Sequence, residues 1–262
     1  VTESSPAEPS RNAAERAHEL LAPLAERQRR WLAGELDDVV EEPEDVRAQP
    51  LVLRLEKTSP PGRTAALEAA ATAALAVFFD PRASGEWGEE LEAWVAGRIR
   101  KVARRARGTY WQVAAELPGV TVAVGDAEVR AYPPGRVAEL PKELSRLQVS
   151  GTDLADEVAP GPVPAGVPVL WMTPHVEMSA GKAMAQVGHA TMLLGAFLDL
   201  PVLARWASAG LPVAVRTADR QRWAELTGPA PDGVARVAVR DAGFTEVEPG
   251  TVTVIADGSP LG

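Results

Sequence analysis

The chain contains no cysteine, so neither a disulfide framework nor a thiolate metal site is available to it. Histidine is nearly as scarce: His18, His175 and His189 are too few and too scattered for a histidine-rich metal centre. No clustered acidic motif suggests a magnesium site, so no metal and no cofactor is expected. No apolar run approaches the length of a membrane span and no signal-peptide pattern opens the sequence. The cytoplasm is therefore the expected compartment, and no membrane partner is expected. A Gly-x-Ser-x-Gly elbow, a phosphate-binding loop and a dinucleotide fingerprint are all missing, so nothing points to covalent catalysis or nucleotide-fold chemistry. The formal charge of −9 argues against wholesale nonspecific nucleic-acid binding, though not against a local basic site. Residues 166–262 carry 7 Lys and Arg against 9 Asp and Glu, which leaves most of the acidity upstream. No internal repeat is visible in the sequence.

What is present organises into two parts. At 262 residues the chain can hold two cores. Residues 1–11, rich in Ser, Pro and Glu, read as a disordered tail. Residues 12–150 read as an α+β domain: a helix over 13–36 that Pro23 should kink or split, an acidic run over 37–45, a strand over 49–56 and an alanine-rich helix over 65–79. A helix over 86–107, a hairpin over 120–132 turning at Gly125-Asp126 and a short helix over 140–147 complete that domain. Residues 151–168 form a linker, in which Pro160, Pro162, Pro164 and Pro168 with Gly161 and Gly166 exclude a helix or central strand. Limited proteolysis is expected to cut there and release a folded C-terminal fragment. Residues 169–262 alternate between strand near Val169, helices over 180–198 and 200–208, strand 213–216, helix 218–227 and strands 234–240 and 251–257. That alternation predicts an α/β layered domain with a small mixed sheet flanked by helices.

The richest segment runs from Gly181 to Thr191. Read as a helix, it places Lys182, Gln186 and His189 at spacings of four and three, on one face of an otherwise apolar element. Ser179 is placed to cap that helix, and the N–H groups of its first turn favour an anion beside Lys182. The sharp reading is a phosphate or carboxylate site. The plainer alternative makes Lys182 a rim residue, Gln186 a backbone partner and His189 a satisfied core histidine.

These residues resemble the signature of the second structural class of peptidyl-tRNA hydrolases, the archaeal and eukaryotic type. That family opens with a strand, matched by Val169-Leu170-Trp171-Met172, and a loop matched by Met178-Ser179-Ala180-Gly181-Lys182. An Ala-Gln-x-x-His-Ala helix follows, matched by Ala185-Gln186-Val187-Gly188-His189-Ala190. A second motif comes about fifty residues later: Asp241-Ala242-Gly243-Phe244-Thr245, then Pro249-Gly250 and the last strand. Departures from the pattern are Ala180 for a lysine, Val187 for a cysteine, and Phe244 and Glu246 beside Thr245. The resemblance covers roughly residues 167–262 and implies hydrolysis of the ester between a peptide and tRNA. Asp241 would orient or deprotonate a water, Lys182 would hold a phosphate or oxyanion, and Thr245 would position the water or bond Asp241. Gln186, His189, Gly181 and Gly243 would support them. Peptidyl-tRNA is the partner so implied, and a homodimer stays open. The departures favour a different class, a hydrolase-like module that binds tRNA or a protein without cleaving it.

A second cluster is basic. Arg98, Arg100, Lys101, Arg104, Arg105 and Arg107 crowd the end of the helix expected over 86–107, with Tyr110 and Trp111 following. Cations beside aromatics suit an RNA backbone and unstacked bases, which makes the cluster a candidate tRNA contact. The alternative is a solvated helix face whose charge complements the C-terminal dipole.

Overall fold

The computed structural model describes residues 11–35, 41–149, 151–241, 243 and 246–262. The expected disordered tail lies outside these residues apart from Arg11, as do the first residues of the acidic run, Phe244 and Thr245.

Chain order begins with α1 (Arg11–Leu32), which runs on through Pro23, and then β1 (Arg47–Arg54), α2 (Arg63–Ala76) and α3 (Gly88–Ala96). β2 (Arg100–Ala106), α4 (Gly108–Glu116), β3 (Val120–Val124), β4 (Ala127–Ala131), the two-residue β5 (Gly135–Arg136) and α5 (Lys142–Ser145) complete the first half. The second half holds β6 (Val169–Met172), α6 (Ala180–Phe197), α7 (Leu200–Ser208), β7 (Ala214–Thr217), α8 (Arg220–Thr227), β8 (Arg236–Arg240) and β9 (Val252–Asp257).

One expectation is corrected. The helix expected over 86–107 stops at Ala96, and the basic stretch behind it is β2, not a helix end. Gly97 ends α3 in an extended conformation, and the chain then pairs in parallel with β1 along the whole of β2. The apolar spacing of Val95, Ile99, Val102 and Ala106 imitated a helical stripe. β1 is buried along most of its length and needs a neighbour for its backbone groups, so tertiary pairing overrides the local pattern. Tyr110 and Trp111 then open a separate helix, α4.

The two sheets share one connectivity. In the first the order is β2-β1-β4-β3, with β5 pairing β1; in the second it is β7-β6-β9-β8. In each, the first two strands are parallel and joined through helices, and the last two are antiparallel to one another. The repeat unseen in the sequence is thus present in the topology. Each sheet turns its outer face to a helix. α4 closes the first through Val52, Trp111 and Tyr132, and α8 closes the second through Trp223, Leu226 and Ile255. The inner faces meet across α2 and α6, which form the largest contact between helices. Each central helix also reaches the other sheet, α6 against β2 and α2 against β7. Thr72 of α2 donates to Leu211 O at 3.1 Å, and Glu68 accepts from Val215 N and Arg216 Nη1, both at 3.0 Å.

Close approach is built into the sequence of both helices. A Cβ on Gly188 would stand 2.9 Å from Lys101 Cδ and 3.2 Å from Ala74 Cβ, so only glycine lets α6 settle on α2 and β2 at that point. Leu21, Leu51, Leu75, Met184, Met192 and Leu194 belong to a single apolar cluster drawn from both halves. No helix among the described residues is long and apolar enough to cross a membrane.

Candidate active site

Asp241 follows the last residue of β8 directly, and the ladder to β9 breaks register beside it. Its backbone is fixed on both sides, with N–H donating to Thr251 O at 2.9 Å and carbonyl accepting from Gly250 N at 2.7 Å. The side chain is 4% exposed. Oδ1 accepts from Gly243 N at 2.8 Å, closing a turn that requires glycine: Gly243 has φ +80, and an added Cβ would overlap the Pro249 ring. Oδ2 faces α6, where it receives the Lys182 ammonium as an ion pair and Gln186 Nε2 at 2.9 Å.

Gln186 is itself oriented. The Thr253 hydroxyl on β9 donates to Gln186 Oε1, which turns the amide so that its N–H₂ group points at Asp241. Lys182, Gln186, Asp241 and Thr253 therefore form one connected network, buried between the first turns of α6 and the ends of β8 and β9. Among the described residues, three donors occupy three of the carboxylate's four lone-pair directions, which leaves one on Oδ1 for a water. The ammonium has three N–H bonds, so it can hold Asp241 and a second acceptor together.

The helix start itself is filled from within the chain. Ser179 Oγ accepts from Lys182 N at 3.2 Å, a cap worth about 1 kcal/mol. Glu246 completes it, accepting from Ser179 N at 2.8 Å and from Ser179 Oγ at 2.6 Å. Thr152 O accepts from Ala180 N at 3.3 Å. The Glu246 carboxylate thus stands at the N-terminus of α6, where the helix dipole favours negative charge. Gly181 also faces the first half, its Cβ direction 3.6 Å from Val149 O. Arg63 of α2 holds the same loop, donating to Met178 O at 2.8 Å.

His189 takes no part in this network. It points at the first sheet, where its Nδ1 lies 3.4 Å from Lys101 Nζ. Lys101 is only 8% exposed and stacks its ammonium end 4.9 Å from the Trp94 ring centroid. Burial holds the Lys101 pKa well below its ordinary value. His189 is also held well below its own, by burial first and by the Lys101 and Lys182 cations next. For both groups the fold resists a proton that the unfolded chain accepts. Stability is then fully present above the ordinary lysine value of about 10.4, declines as pH falls toward the Lys101 folded value, and declines again below about 6.5 through His189. Lys101→Met is expected to raise the melting temperature at pH 7 and to lose that advantage as pH approaches 10. Parallel melting curves for the two proteins across this range would contradict the burial argument.

The rest of the basic cluster is dispersed along β2. Arg98 and Arg100 pair with Glu41, the latter at 2.5 Å. Arg104 donates to Ser145 O and Leu147 O, and Arg105 to Gly151 O at 2.7 Å. Arg107 is exposed at the N-cap of α4. Three contributors escaped the sequence reading: Thr253, Glu246 as a helix partner, and Arg63. Thr253 had a signal, as a polar residue facing inward on an apolar strand. The other two act across long sequence separations and had none.

Part of the chain is similar to known proteins. Residues 168–259 match the family model described as "Peptidyl-tRNA hydrolase PTH2". A peptidyl-tRNA hydrolase of Methanopyrus kandleri is 41% identical over 90 residues, which span 32% of this chain and 75% of that protein. One from Haloquadratum walsbyi is 34% identical over 85 residues, 32% of this chain and 76% of that protein. No solved structure matches significantly. The matched span contains Lys182, Gln186, Asp241 and Thr253, and excludes the first sheet altogether.

Proposed function

This chain belongs to the peptidyl-tRNA hydrolase PTH2 family and is a hydrolase, and from that membership we propose that it cleaves the ester joining a peptide to the 3′ ribose of tRNA, recycling tRNA for translation in the cytoplasm. The observation that carries the reading is the buried Lys182–Asp241 pair with its Gln186 and Thr253 supports, inside the matched span. A buried cation beside a carboxylate that, among the described residues, keeps one lone-pair direction open supplies what hydrolysis without a covalent intermediate needs. Asp241 holds a water through Oδ1 and takes its proton as the water oxygen bonds to the ester carbonyl carbon. The Lys182 ammonium, held beside Asp241, stabilises the carbonyl oxygen as negative charge develops there. The carbon–oxygen bond to the ribose then breaks, and the proton held by Asp241 passes to the leaving 3′ oxygen. Thr245, by its place in the motif, is assigned to the same water. His189 supports the fold from the far side of α6.

The test is product analysis after incubating the full chain with N-blocked aminoacyl-tRNA. The expected products are the free N-blocked amino acid and a tRNA whose 3′ end is intact and can be charged again. Cleavage within the RNA, or no release above the spontaneous rate, would overturn the reading.

A further inference from the structure

The first sheet repeats the connectivity of the second without its chemistry. Counted from the start of each helix, Ala65 and Ala69 of α2 stand where Lys182 and Gln186 stand on α6. Asp126, which follows β3 much as Asp241 follows β8, accepts from Gly62 N at 3.2 Å and among the described residues pairs with no lysine. Asp156 accepts from Thr64 N at 2.8 Å and from its hydroxyl at 2.7 Å, so this helix start is filled as well. A second hydrolytic centre is absent from the described residues of this half.

It carries a groove instead. The loops after β1 and β2, the start of α4 and the segment behind α5 enclose about 600 Å³, within the range of ligand pockets. Lys57, Arg105, Arg107 and Arg146 line it, with Tyr110 between them. The acids in its wall are Glu56 and Asp153, and Glu56 is already held by Arg54 Nε and Gly108 N, each at 3.3 Å. Among the described residues Lys57, Arg107 and Arg146 have no ion-pair partner, unlike the paired Arg98 and Arg100. The groove is therefore a local excess of positive charge on a chain of net charge −9.

Tyr110 gives the groove its specificity of shape. Its neighbour Trp111 is 6% exposed and anchors α4 in the core, which fixes where Tyr110 emerges. The Tyr110 ring is 55% exposed, and one face is covered by the Arg146 guanidinium at 5.1 Å. The other face can take a flat partner. Unpaired cations around an aromatic with one free face suit a single strand, whose phosphates meet the cations while a base stacks. The groove also adjoins the site already described. Leu147, Gln148 and Asp153 line it, and between them Val149 and Thr152 turn their carbonyls to Gly181 and Ala180 at the start of α6.

We propose that this groove binds the unpaired 3′ end of tRNA, with Tyr110 stacking a base and Arg107 and Arg146 meeting phosphates. The proposal rests on the hydrolase reading for the identity of the RNA, and on the groove alone for the binding. It also explains how the chain recognises RNA although Glu246 and Asp241 occupy the charges around α6.

The experiment measures binding of deacylated tRNA and of a short single-stranded RNA to the full chain across a salt series. Tyr110→Ala should weaken both about tenfold, the size of one lost base stack, and Tyr110→Phe should restore binding. Arg107→Ala and Arg146→Ala should each lower the log–log salt slope by about 0.7. All these residues are exposed, so unchanged melting curves confirm folded variants. Unmutated affinity and slope in Tyr110→Ala and in the Arg107→Ala/Arg146→Ala double variant would overturn the proposal. Turnover is scored separately on the unmutated chain. If RNA binding depends on Tyr110 but no ester is cleaved, the hydrolase reading fails and the groove stands. If ester is cleaved while binding ignores Tyr110, the groove fails alone.

Discussion

Lys182→Ala is expected to lower hydrolysis of an N-blocked aminoacyl-tRNA by at least about tenfold, equivalent to about 1.4 kcal/mol of transition-state stabilisation. It should also cost about 3–5 kcal/mol of stability, because the Asp241 carboxylate stays buried without its cation. Loss of activity and loss of stability are therefore coupled at this site, and activity must be read well below the melting temperature. Asp241→Asn separates the two more cleanly. It keeps the size of the side chain but turns one acceptor oxygen into a donor, which then faces either Gly243 N–H or the Lys182–Gln186 pair. Under the proposed mechanism it also removes the group that takes the water proton. The expected result is at least the same tenfold loss with a chain that still melts cooperatively. Full activity in either folded variant would show that the network is structural only.

The other large effect is expected from cutting the chain in two. Residues 159–262 expressed alone should not yield a stable monomer. In the whole chain α6 is buried on most sides, and part of that cover comes from α1, α2 and β2 of the first half. Removing it uncovers the Gly188–Gly195 face of α6, which packs on Ala74, Leu21, Leu75 and the Lys101 side chain, and leaves apolar surface exposed to water. The fragment should be unfolded, aggregated or self-associated through α6. By the same reasoning, proteolysis in the mostly exposed stretch over 158–166 should nick the backbone while the two pieces stay together, in place of the released folded fragment that the sequence alone suggests. A folded, monomeric fragment with cooperative melting would contradict the shared core.

Much of the second half was legible because its helices and strands are locally consistent. Helix 180–198 carries its own cap and an apolar surround, and the two motifs at Lys182 and Asp241 announced their residues before any contact was visible. What joins them was not legible: the register that places Asp241 beside Lys182 depends on β8 pairing with β9. The first half misled in one place for a physical reason. Residues 99–106 combine helical apolar spacing with long basic side chains, and a parallel pairing decided over distance made them a strand. The common connectivity of the two sheets was invisible for a related reason. Fold repeats are kept by which faces are apolar, and Ala65 and Ala69 preserve the packing of α2 while discarding the side chains that would mark a repeated site.

The most direct test is the rate at which the unmutated full chain releases N-blocked amino acid from its tRNA ester, measured beside Asp241→Asn at equal folded concentration. The hydrolase reading predicts multiple turnovers for the unmutated chain and at least a tenfold lower rate for the variant. A chain that binds the tRNA but releases nothing beyond the spontaneous rate, with or without Asp241, would contradict it.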